Sequence, residues 1–306
     1  MKSIHCIGFV GLGRMGIPMA GHLRRAGFDL TVYDIRPEAV SEFVAQHGGR
    51  AAAGLADVGR GADAVITMLP TSAQVRDVIL GSNGAAGVAG ELAAGAVVID
   101  TGASDPVRTR ELGTALRERG IHLVDAPVAG GVVFARDGSL DIMVGGEPDV
   151  IEHIRPVLTA FGHKVHMCGG LGNAHAMKSL NNYVNAANLI VLIEALAIGR
   201  RLGLELDLML ESISAATTGR NHPLEKKILP QVITHRFAHG AALGLMTKDV
   251  GIALDSAAAS GAWAPMAERC AALWREGEQM LGFDADQTEI ARLWEERTGV
   301  ALAREG

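Results

Sequence analysis

The stretch that decides the fold lies near the amino terminus, where residues 4–34 read IHCIGFVGLGRMGIPMAGHLRRAGFDLTVYD. An apolar, partly β-branched run at 4–10 indicates a strand, and a helical pattern follows at 17–26. Between them stands G-x-G-x-x-G, and a second strand at 30–33 is closed by Asp34. This order of strand, glycine turn, helix, strand and acid is typical of a dinucleotide-binding fold.

Each glycine of that turn has a physical task. Gly11 permits the tight turn, Gly13 lets the backbone approach a pyrophosphate, and Gly16 lets helix and strand pack closely. The amino terminus of the helix that follows offers unpaired N–H groups to the phosphates. We therefore predict that the cofactor is held by Gly11, Leu12, Gly13, Arg14, Met15 and Gly16.

Asp34 bears on which dinucleotide is bound. It follows the last glycine at close to the spacing of about 20 residues that is usual for the acid of this fold. A carboxylate there accepts hydrogen bonds from the ribose hydroxyls and repels a 2′-phosphate, so the sequence favours NAD. Arg36 keeps NADP open, since its side chain could lie against the adenine or tolerate the phosphate.

Composition narrows the class of protein. The chain has 306 residues, 48% apolar and 20% charged, which fits a globular protein of two domains. A net charge of −6 without a basic block argues against a nucleic-acid partner. No apolar run reaches the roughly 18 residues of a membrane helix, and no secretory cleavage site follows the amino terminus. Three widely separated cysteines indicate reduced thiols in a cytoplasmic protein.

Strands and helices alternate in the first half of the chain and helices alone follow. We predict an α/β Rossmann domain at 1–168 and an all-helical substrate and oligomerisation domain at 169–306, joined by a bridging helix at about 174–201. The Gly- and Ala-rich segment 81–95 is predicted to be a surface loop. The other predicted strands are 64–69, 96–100, 122–124, 140–144 and 164–167, and the other predicted helices include 74–80, 150–161, 206–214, 223–229, 249–259, 265–278 and 286–296.

The bridging helix begins with three polar side chains on one face. Residues 169–197 read GGLGNAHAMKSLNNYVNAANLIVLIEALA. Lys178, Asn181 and Asn182 stand at positions i, i+3 and i+4 and therefore project to the same side. Such convergence suggests a lined cleft, although taken alone it fits a capped helix with a solvated first turn equally well.

Four motifs appear in order along almost the whole chain. They are GFVGLGRMGIPMAGHL at 8–23, DAPVAGGVVFARDGSLDIMVGG at 125–146, GNAHAMKSLNN at 172–182 and KDVGIAL at 248–254. Together they resemble the motifs of the β-hydroxyacid dehydrogenases, a family typified by 3-hydroxyisobutyrate dehydrogenase. The resemblance implies a homodimer or homotetramer that binds NAD and a small hydroxy acid.

The resemblance also implies roles for single residues. Lys178 matches the catalytic lysine of the family, and Asn182 matches the asparagine that orients substrate, with Asn181 beside it. Gly130 and Gly131 match glycines whose backbone amides hold the substrate carboxylate.

On the cofactor side, Leu69 and Pro70 match dinucleotide contacts. Lys248 matches a lysine near the nicotinamide, supported by Asp249.

Three alanines depart from the family pattern. Ala129 stands in the substrate loop where the family usually has serine, and Ala103 stands on the cofactor side where many members have threonine. Ala241, which precedes the last motif, stands next to Gly240 where the family usually has an aromatic residue. We still predict that Ala129 contacts the substrate and that Ala103 contacts the cofactor. Losing the serine and the aromatic ring would enlarge the pocket, so we expect a substrate bulkier than 3-hydroxyisobutyrate.

The predicted reaction is NAD-dependent oxidation of a small 3-hydroxy acid, or the reverse reduction, with Lys178 as general base or acid. A free lysine has a pKa of about 10.4, and burial together with a neighbouring cation such as Lys248 would lower it. Two alternatives remain open: an imine reductase, and a non-catalytic dinucleotide-binding module. Both usually lack the lysine.

We predict no metal site. His235 and His239 stand four residues apart, but Arg236 occupies the place of the glutamate of a zinc protease. The tryptophans at 263, 274 and 294 are interpreted as helix packing or subunit interface.

Overall fold

In a computed structural model of the chain, the structure describes residues 3–201, 204–216, 223–260 and 264–303. They belong to two compact units, Met1–Lys178 and Ser179–Gly306. The predicted fold class is confirmed: an α/β Rossmann domain is followed by an all-helical domain. The long helix α8 (Asn173–Arg201) crosses the division between the units. The domain boundary at 168/169 stays a prediction.

A nine-stranded sheet forms the centre of the first unit, all of it within residues 3–178. Its strands are β1 (Cys6–Val10), β2 (Asp29–Tyr33), β3 (Arg50–Ala51), β4 (Ala64–Thr67), β7 (Val97–Asp100), β8 (His122–Asp125), β9 (Val128–Ala129), β10 (Leu140–Gly145) and β11 (Gly162–Gly169). Six strands run parallel in the order β3-β2-β1-β4-β7-β8, which is the strand order of a doubly wound dinucleotide-binding sheet. Beyond them, β10 runs antiparallel to β8 and β9, and β11 pairs parallel with β10.

The central strands are apolar throughout because helices cover both faces of a parallel sheet. Every residue of β4 and β7 is buried. Phe9, Ile66 and Ile99 pack into the core on one face, while Val65 and Val98 pack into the core on the other. Full burial of such a side chain contributes about 1.5–3 kcal/mol, so the alternation of side chains across the sheet stabilises both layers.

Seven helices lie among the strands of the first unit, within residues 3–178. Three of them, at 37, 106 and 148, begin with proline, whose missing N–H costs nothing at the first helical position. The helices are α1 (Gly16–Arg25), α2 (Pro37–His47), α3 (Leu55–Gly59), α4 (Ser72–Leu80), α5 (Pro106–Arg117), α6 (Gly131–Asp137) and α7 (Pro148–Thr159). No element was predicted for the stretch that forms α2, β3 and α3.

The prediction of a surface loop over 81–95 is wrong in part. Two short strands, β5 (Gly81–Ser82) and β6 (Ala85–Ala86), form a hairpin, and a 3₁₀ turn follows at Val88–Gly90. Val88 and Ala89 are buried in the core. A Cβ atom at Gly59 would overlap the Val88 carbonyl, so small residues here permit close backbone packing rather than exposure.

The second unit is helical. Its core surrounds Trp274, which is fully buried, and Trp294 packs against the same core, whereas Trp263 lies outside the described residues. Along the described chain, no helix combines the length and apolarity needed to cross a bilayer. A cytoplasmic location stays a prediction. After α8, the helices are α9 (Leu206–Ala216), a π-helix at Leu224–Val232, α10 (Leu243–Ser260), α11 (Pro265–Leu281), a 3₁₀ turn at Gln287–Ile290 and α12 (Ala291–Thr298).

Candidate active site

The glycine turn lies between β1 and α1, and its three glycines have different surroundings. Gly11 has φ +104°, and a Cβ atom there would overlap the carbonyl of Met68. A Cβ at Gly16 would overlap the Gly11 carbonyl, so helix and turn are in backbone contact. At Gly13 a Cβ would meet nothing within 4 Å. The turn is therefore closed at Gly11 and Gly16 and open at Gly13, which is the cradle that a pyrophosphate requires.

The rest of the turn suits an anionic ligand. No side chain caps the amino terminus of α1, so the positive end of the helix dipole there remains open to phosphate oxygens. Arg14 is exposed beside this terminus, while Met15 is partly buried against the core. Leu12 is fully buried, and its backbone N–H and C=O are bonded to Asp34 and Arg36, so these groups hold the turn.

The Asp34 carboxylate holds the turn in place. The Leu12 N–H donates to Oδ2 at 2.7 Å, and the backbone N–H and Nε of Arg36 donate to Oδ1 at 2.9 and 3.1 Å. The Arg36 guanidinium also donates to the Leu12 carbonyl at 3.0 Å. Partial burial alone would raise the pKa of Asp34, but the hydrogen bonds from Arg36 and Leu12 outweigh it and lower the pKa. Asp34 is thus an ionised group that links Arg36 to the glycine turn.

The other predicted cofactor positions of the first unit lie in turns after parallel strands. Leu69 and Pro70 connect β4 to α4, and Ala103 lies between β7 and α5. A Cβ at Gly102 would lie 2.6 Å from the Leu69 carbonyl, so these two turns touch. Because β1, β4 and β7 are neighbours, all three turns share the carboxyl edge of the sheet, where ligands of such sheets bind.

The predicted substrate loop follows β8. Ala129 ends β9, and Gly130 and Gly131 open α6 with φ values of +122° and +76°. These left-handed conformations favour glycine strongly. Both glycines are exposed, which leaves their backbone accessible to a ligand.

The helix α8 is continuous over the polar set predicted from the sequence. Lys178 is half-buried, Asn181 is exposed and Asn182 is buried. The Asn182 side-chain amide donates to Asp249 Oδ2 at 2.7 Å, and the other oxygen of Asp249 lies 3.0 Å from Lys248 Nζ. In the helical unit, therefore, the carboxylate of Asp249 joins two predicted site residues, Asn182 on α8 and Lys248 on α10.

Sequence reasoning missed a buried polar cluster in the first unit. Asp100 and Asp125 end the adjacent strands β7 and β8, and the His175 ring lies between them, 3.6 Å and 3.9 Å from their carboxylates. Asp125 accepts hydrogen bonds from the N–H groups of Gly172 and His175, at 2.8 and 2.9 Å, and so caps the start of α8. Burial raises the pKa of Asp125 despite the nearby imidazole and these bonds. The sequence does contain a signal for this cluster, because each of two apolar strands ends in an aspartate, Asp100 and Asp125.

Lys227 is a second lysine in an unusual setting. It is buried, and its Nζ donates to Gln287 Oε1 at 2.8 Å. Burial lowers its pKa to about 8, although Asp286 opposes the shift. Since a catalytic base must reach its substrate, and this amine is enclosed in the helical unit beside another buried side chain, we assign Lys227 a structural role.

The described residues hold no group of three or more His, Cys, Asp or Glu side chains placed to bind a metal ion. His235 instead pairs with Glu295, with Nε2 2.9 Å from Oε1.

A doubly wound sheet with an open pyrophosphate turn, followed by a helical domain, is typical of the class of nicotinamide-dinucleotide-dependent dehydrogenases. Two family models match the chain and together cover nearly all of it. The first is described as the NAD binding domain of 6-phosphogluconate dehydrogenase and matches residues 6–170. The second carries the description "NAD-binding of NADP-dependent 3-hydroxyisobutyrate dehydrogenase" and matches residues 172–294.

Three proteins that are similar to this chain are all named as dehydrogenases. The 2-(hydroxymethyl)glutarate dehydrogenase of Eubacterium barkeri is 35% identical over 302 residues, 99% of this chain and 98% of that protein. The NAD-dependent L-serine dehydrogenase of Pseudomonas aeruginosa is 36% identical over 88% of this chain and 91% of its own length. The Mycobacterium tuberculosis 3-hydroxyisobutyrate dehydrogenase, solved with L-serine, superposes with a TM-score of 0.81 at 30% identity, covering 95% of this chain and 99% of that one.

The chain belongs to the β-hydroxyacid dehydrogenase family. The predicted family, enzyme class and nicotinamide cofactor are thereby confirmed: the protein is a dehydrogenase that acts on a hydroxyl group. The relative from Pseudomonas aeruginosa is NAD-dependent, and the description of the second family model leaves NADP open as well.

Proposed function

We propose that this enzyme oxidises a 3-hydroxy acid of the form HOCH₂–CH(R)–COO⁻ to the aldehyde, with Lys178 as the general base. One observation carries the proposal most directly. Lys178 stands one helical turn after His175, whose ring lies beside Asp100 at the turn that follows β7. The first unit therefore holds the lysine near the edge of the sheet where the cofactor turns gather.

The chemistry divides between the cofactor and the chain. NAD, when bound, accepts the hydride from the carbinol carbon. The Lys178 amine takes the hydroxyl proton, so the alcohol becomes an aldehyde and the amine an ammonium. In the reverse direction that ammonium protonates the developing alkoxide. We assign the backbone amides of Gly130 and Gly131 to the substrate carboxylate, and Asn181 and Asn182 to the orientation of substrate.

The proposal also specifies the size of the substituent R. The names of the relatives describe acids in which a hydroxymethyl group is attached to the carbon that bears the carboxylate. These acids differ in R, the other substituent on that carbon. Alanine stands at 129 and 241, where the family has serine and an aromatic residue. We propose that R is larger than methyl, as it is in 2-(hydroxymethyl)glutarate.

A panel assayed by absorbance at about 340 nm, where NADH absorbs, tests this function. It contains serine, 3-hydroxyisobutyrate and 2-(hydroxymethyl)glutarate with NAD, and a cyclic imine with NADPH. We expect turnover of the hydroxy acids, with the largest kcat/KM for the bulkiest of them. A best value for 3-hydroxyisobutyrate would refute the larger pocket. Reduction of the imine alone would favour the imine reductase, and silence despite NAD binding would favour a non-catalytic module.

Asp34 and Arg36 make a second prediction, on cofactor choice. Asp34→Asn keeps an oxygen for the Leu12 N–H but removes the charge that repels a 2′-phosphate, while Arg36 keeps its guanidinium next to position 34. We expect the ratio of kcat/KM with NADP to that with NAD to rise at least about tenfold, since a hydrogen bond to a charged group is worth about 1.5–3 kcal/mol. Arg36→Leu in the Asp34→Asn background should remove the gain. An unchanged ratio would show that Asp34 does not select the cofactor.

We further propose a homodimer or homotetramer. Leu180, Val184 and Val191 are exposed on α8 at helical spacing, and Met266 on α11 is also exposed. An apolar stripe of this kind is typical of a surface that another subunit covers.

A further inference from the structure

We propose that His175 is a positioning residue: its buried imidazole ties the helix that carries Lys178 to the turn that follows β7. The inference rests on the proposed role of Lys178 and adds a reason why the lysine is held in place. Only 1% of the surface of His175 is exposed, so its ring is part of the fold and not a ligand for substrate.

The hydrogen bonds of Thr109 indicate how the ring is held. The Thr109 hydroxyl donates its single hydrogen to the Asp105 carbonyl at 2.9 Å. Its oxygen lies 2.8 Å from His175 Nδ1, so it accepts from Nδ1–H. The other ring nitrogen, Nε2, is buried without a hydrogen-bond partner and faces Asp100 Oδ2 at 3.6 Å. The ring is thereby tied through the Thr109 hydroxyl to the Asp105 carbonyl, where the turn after β7 meets α5, and its Nε2 edge packs beside Asp100.

Asp100 organises the turn on the cofactor side. One carboxylate oxygen accepts from the Thr67 hydroxyl at 3.0 Å and from the Gly102 N–H at 3.1 Å. The other accepts from the Ser104 hydroxyl at 2.7 Å. All of these donors are buried and two of them belong to the turn, so Asp100 determines its conformation.

Asp125 organises the start of α8 in the same way, through the N–H groups of Gly172 and His175. The two carboxylates thus fix two different segments, the turn after β7 and the head of α8. His175 stands between the two carboxylates and so links the two segments. Lys178 lies three residues further along α8 and therefore on the same face of the helix.

The functional consequence is a matter of geometry. A base must lie within hydrogen-bond reach of the proton that it removes, and a misplacement of about 1 Å can cost on the order of 100-fold in rate. Without the imidazole, α8 would still be capped by Asp125, but it would lose the buried side-chain link through Thr109 to the end of the turn. The loss should therefore appear in kcat and leave binding nearly unchanged.

The test is a double-mutant cycle in the full-length enzyme. His175→Leu removes both ring contacts at similar volume, and His175→Asn keeps a polar donor near the position of Nδ1. We expect His175→Leu to lower kcat on the order of 100-fold, with substrate KM and the Kd of NAD within about threefold of wild type, and His175→Asn to recover about tenfold. The exposed residue Arg110, which bonds Leu171 and Asn173 at the same helix start, supplies the control Arg110→Met, which should keep kcat.

The double-mutant cycle tests the positioning role of His175 separately from the role of Lys178 as the base. If His175 acts through Lys178, His175→Leu combined with Lys178→Met should be no slower than Lys178→Met alone. Additive losses, or a kcat for His175→Leu within threefold of wild type, would overturn the role of His175. Full activity of Lys178→Met would instead overturn the proposed function. Should His175→Leu fail to fold, His175→Asn carries the same cycle with a smaller expected loss.

Discussion

Lys178→Met should bind NAD with nearly normal affinity and lose turnover by a factor on the order of 1,000. The substitution keeps an unbranched chain on α8 but removes the amine that accepts the hydroxyl proton. Because the glycine turn, Asp34 and the strand ends do not include Lys178, cofactor binding should not change. Steady-state kcat with a hydroxy acid, and NAD affinity by fluorescence or calorimetry, measure the two halves of the prediction.

A matched control comes from the same unit. Lys164 is an exposed lysine on β11, and Lys164→Met removes the same charge without touching any proposed site residue. Its kcat should stay within about twofold of wild type, as expected of a surface substitution. If Lys178→Met retained most of its activity while NAD was still reduced, another group would have to be the base, and the lysine assignment would be wrong.

Gly13→Val has the second large expected effect. The Cβ position of Gly13 is open, so the unliganded protein should tolerate the side chain. The added carbons would occupy the space through which the pyrophosphate approaches the backbone. Losing even two hydrogen bonds to charged oxygens, at about 1.5–3 kcal/mol each, predicts a Kd for NAD at least about 100-fold higher. Calorimetric titration gives the Kd, and thermal unfolding without NAD gives the stability.

Substitutions at two other glycines serve as controls for Gly13→Val. Gly90 is also open and has no left-handed φ, and Gly90→Val should change neither NAD affinity nor Tm appreciably. At Gly16 a Cβ would overlap the Gly11 carbonyl, so Gly16→Ala should lower Tm in the absence of NAD. Should Gly13→Val bind NAD as wild type does, the pyrophosphate must lie elsewhere.

Much of the fold could be predicted because it is encoded over short distances. The predicted helix at 174–201 corresponds to α8 (Asn173–Arg201), and the predicted strand at 30–33 corresponds to β2 (Asp29–Tyr33). The segment 81–95 shows the limit of this reasoning. Glycine and alanine suit both an exposed loop and a tightly packed turn, and only contact with Gly59 distinguishes them.

The candidate site, too, contains residues that the sequence could relate to one another and residues that it could not. Lys178, Asn181 and Asn182 are three and four residues apart, so helical periodicity alone relates them. Asp100, Asp125 and His175 could not be related in this way. Each is unremarkable in its own segment, and they come together because β7 and β8 are neighbours in the sheet and α8 begins at its edge.

The amino-acid sequence by itself determined the glycine turn, the order of strands and helices and the polar face of α8, because these depend on residues close together in the chain. Tertiary structure alone decided which glycine faces open space, how Asp34 is shared between Leu12 and Arg36, and what surrounds His175. The physical reason is that packing and buried hydrogen bonds depend on which distant segments become neighbours, and local periodicity carries no information about that choice.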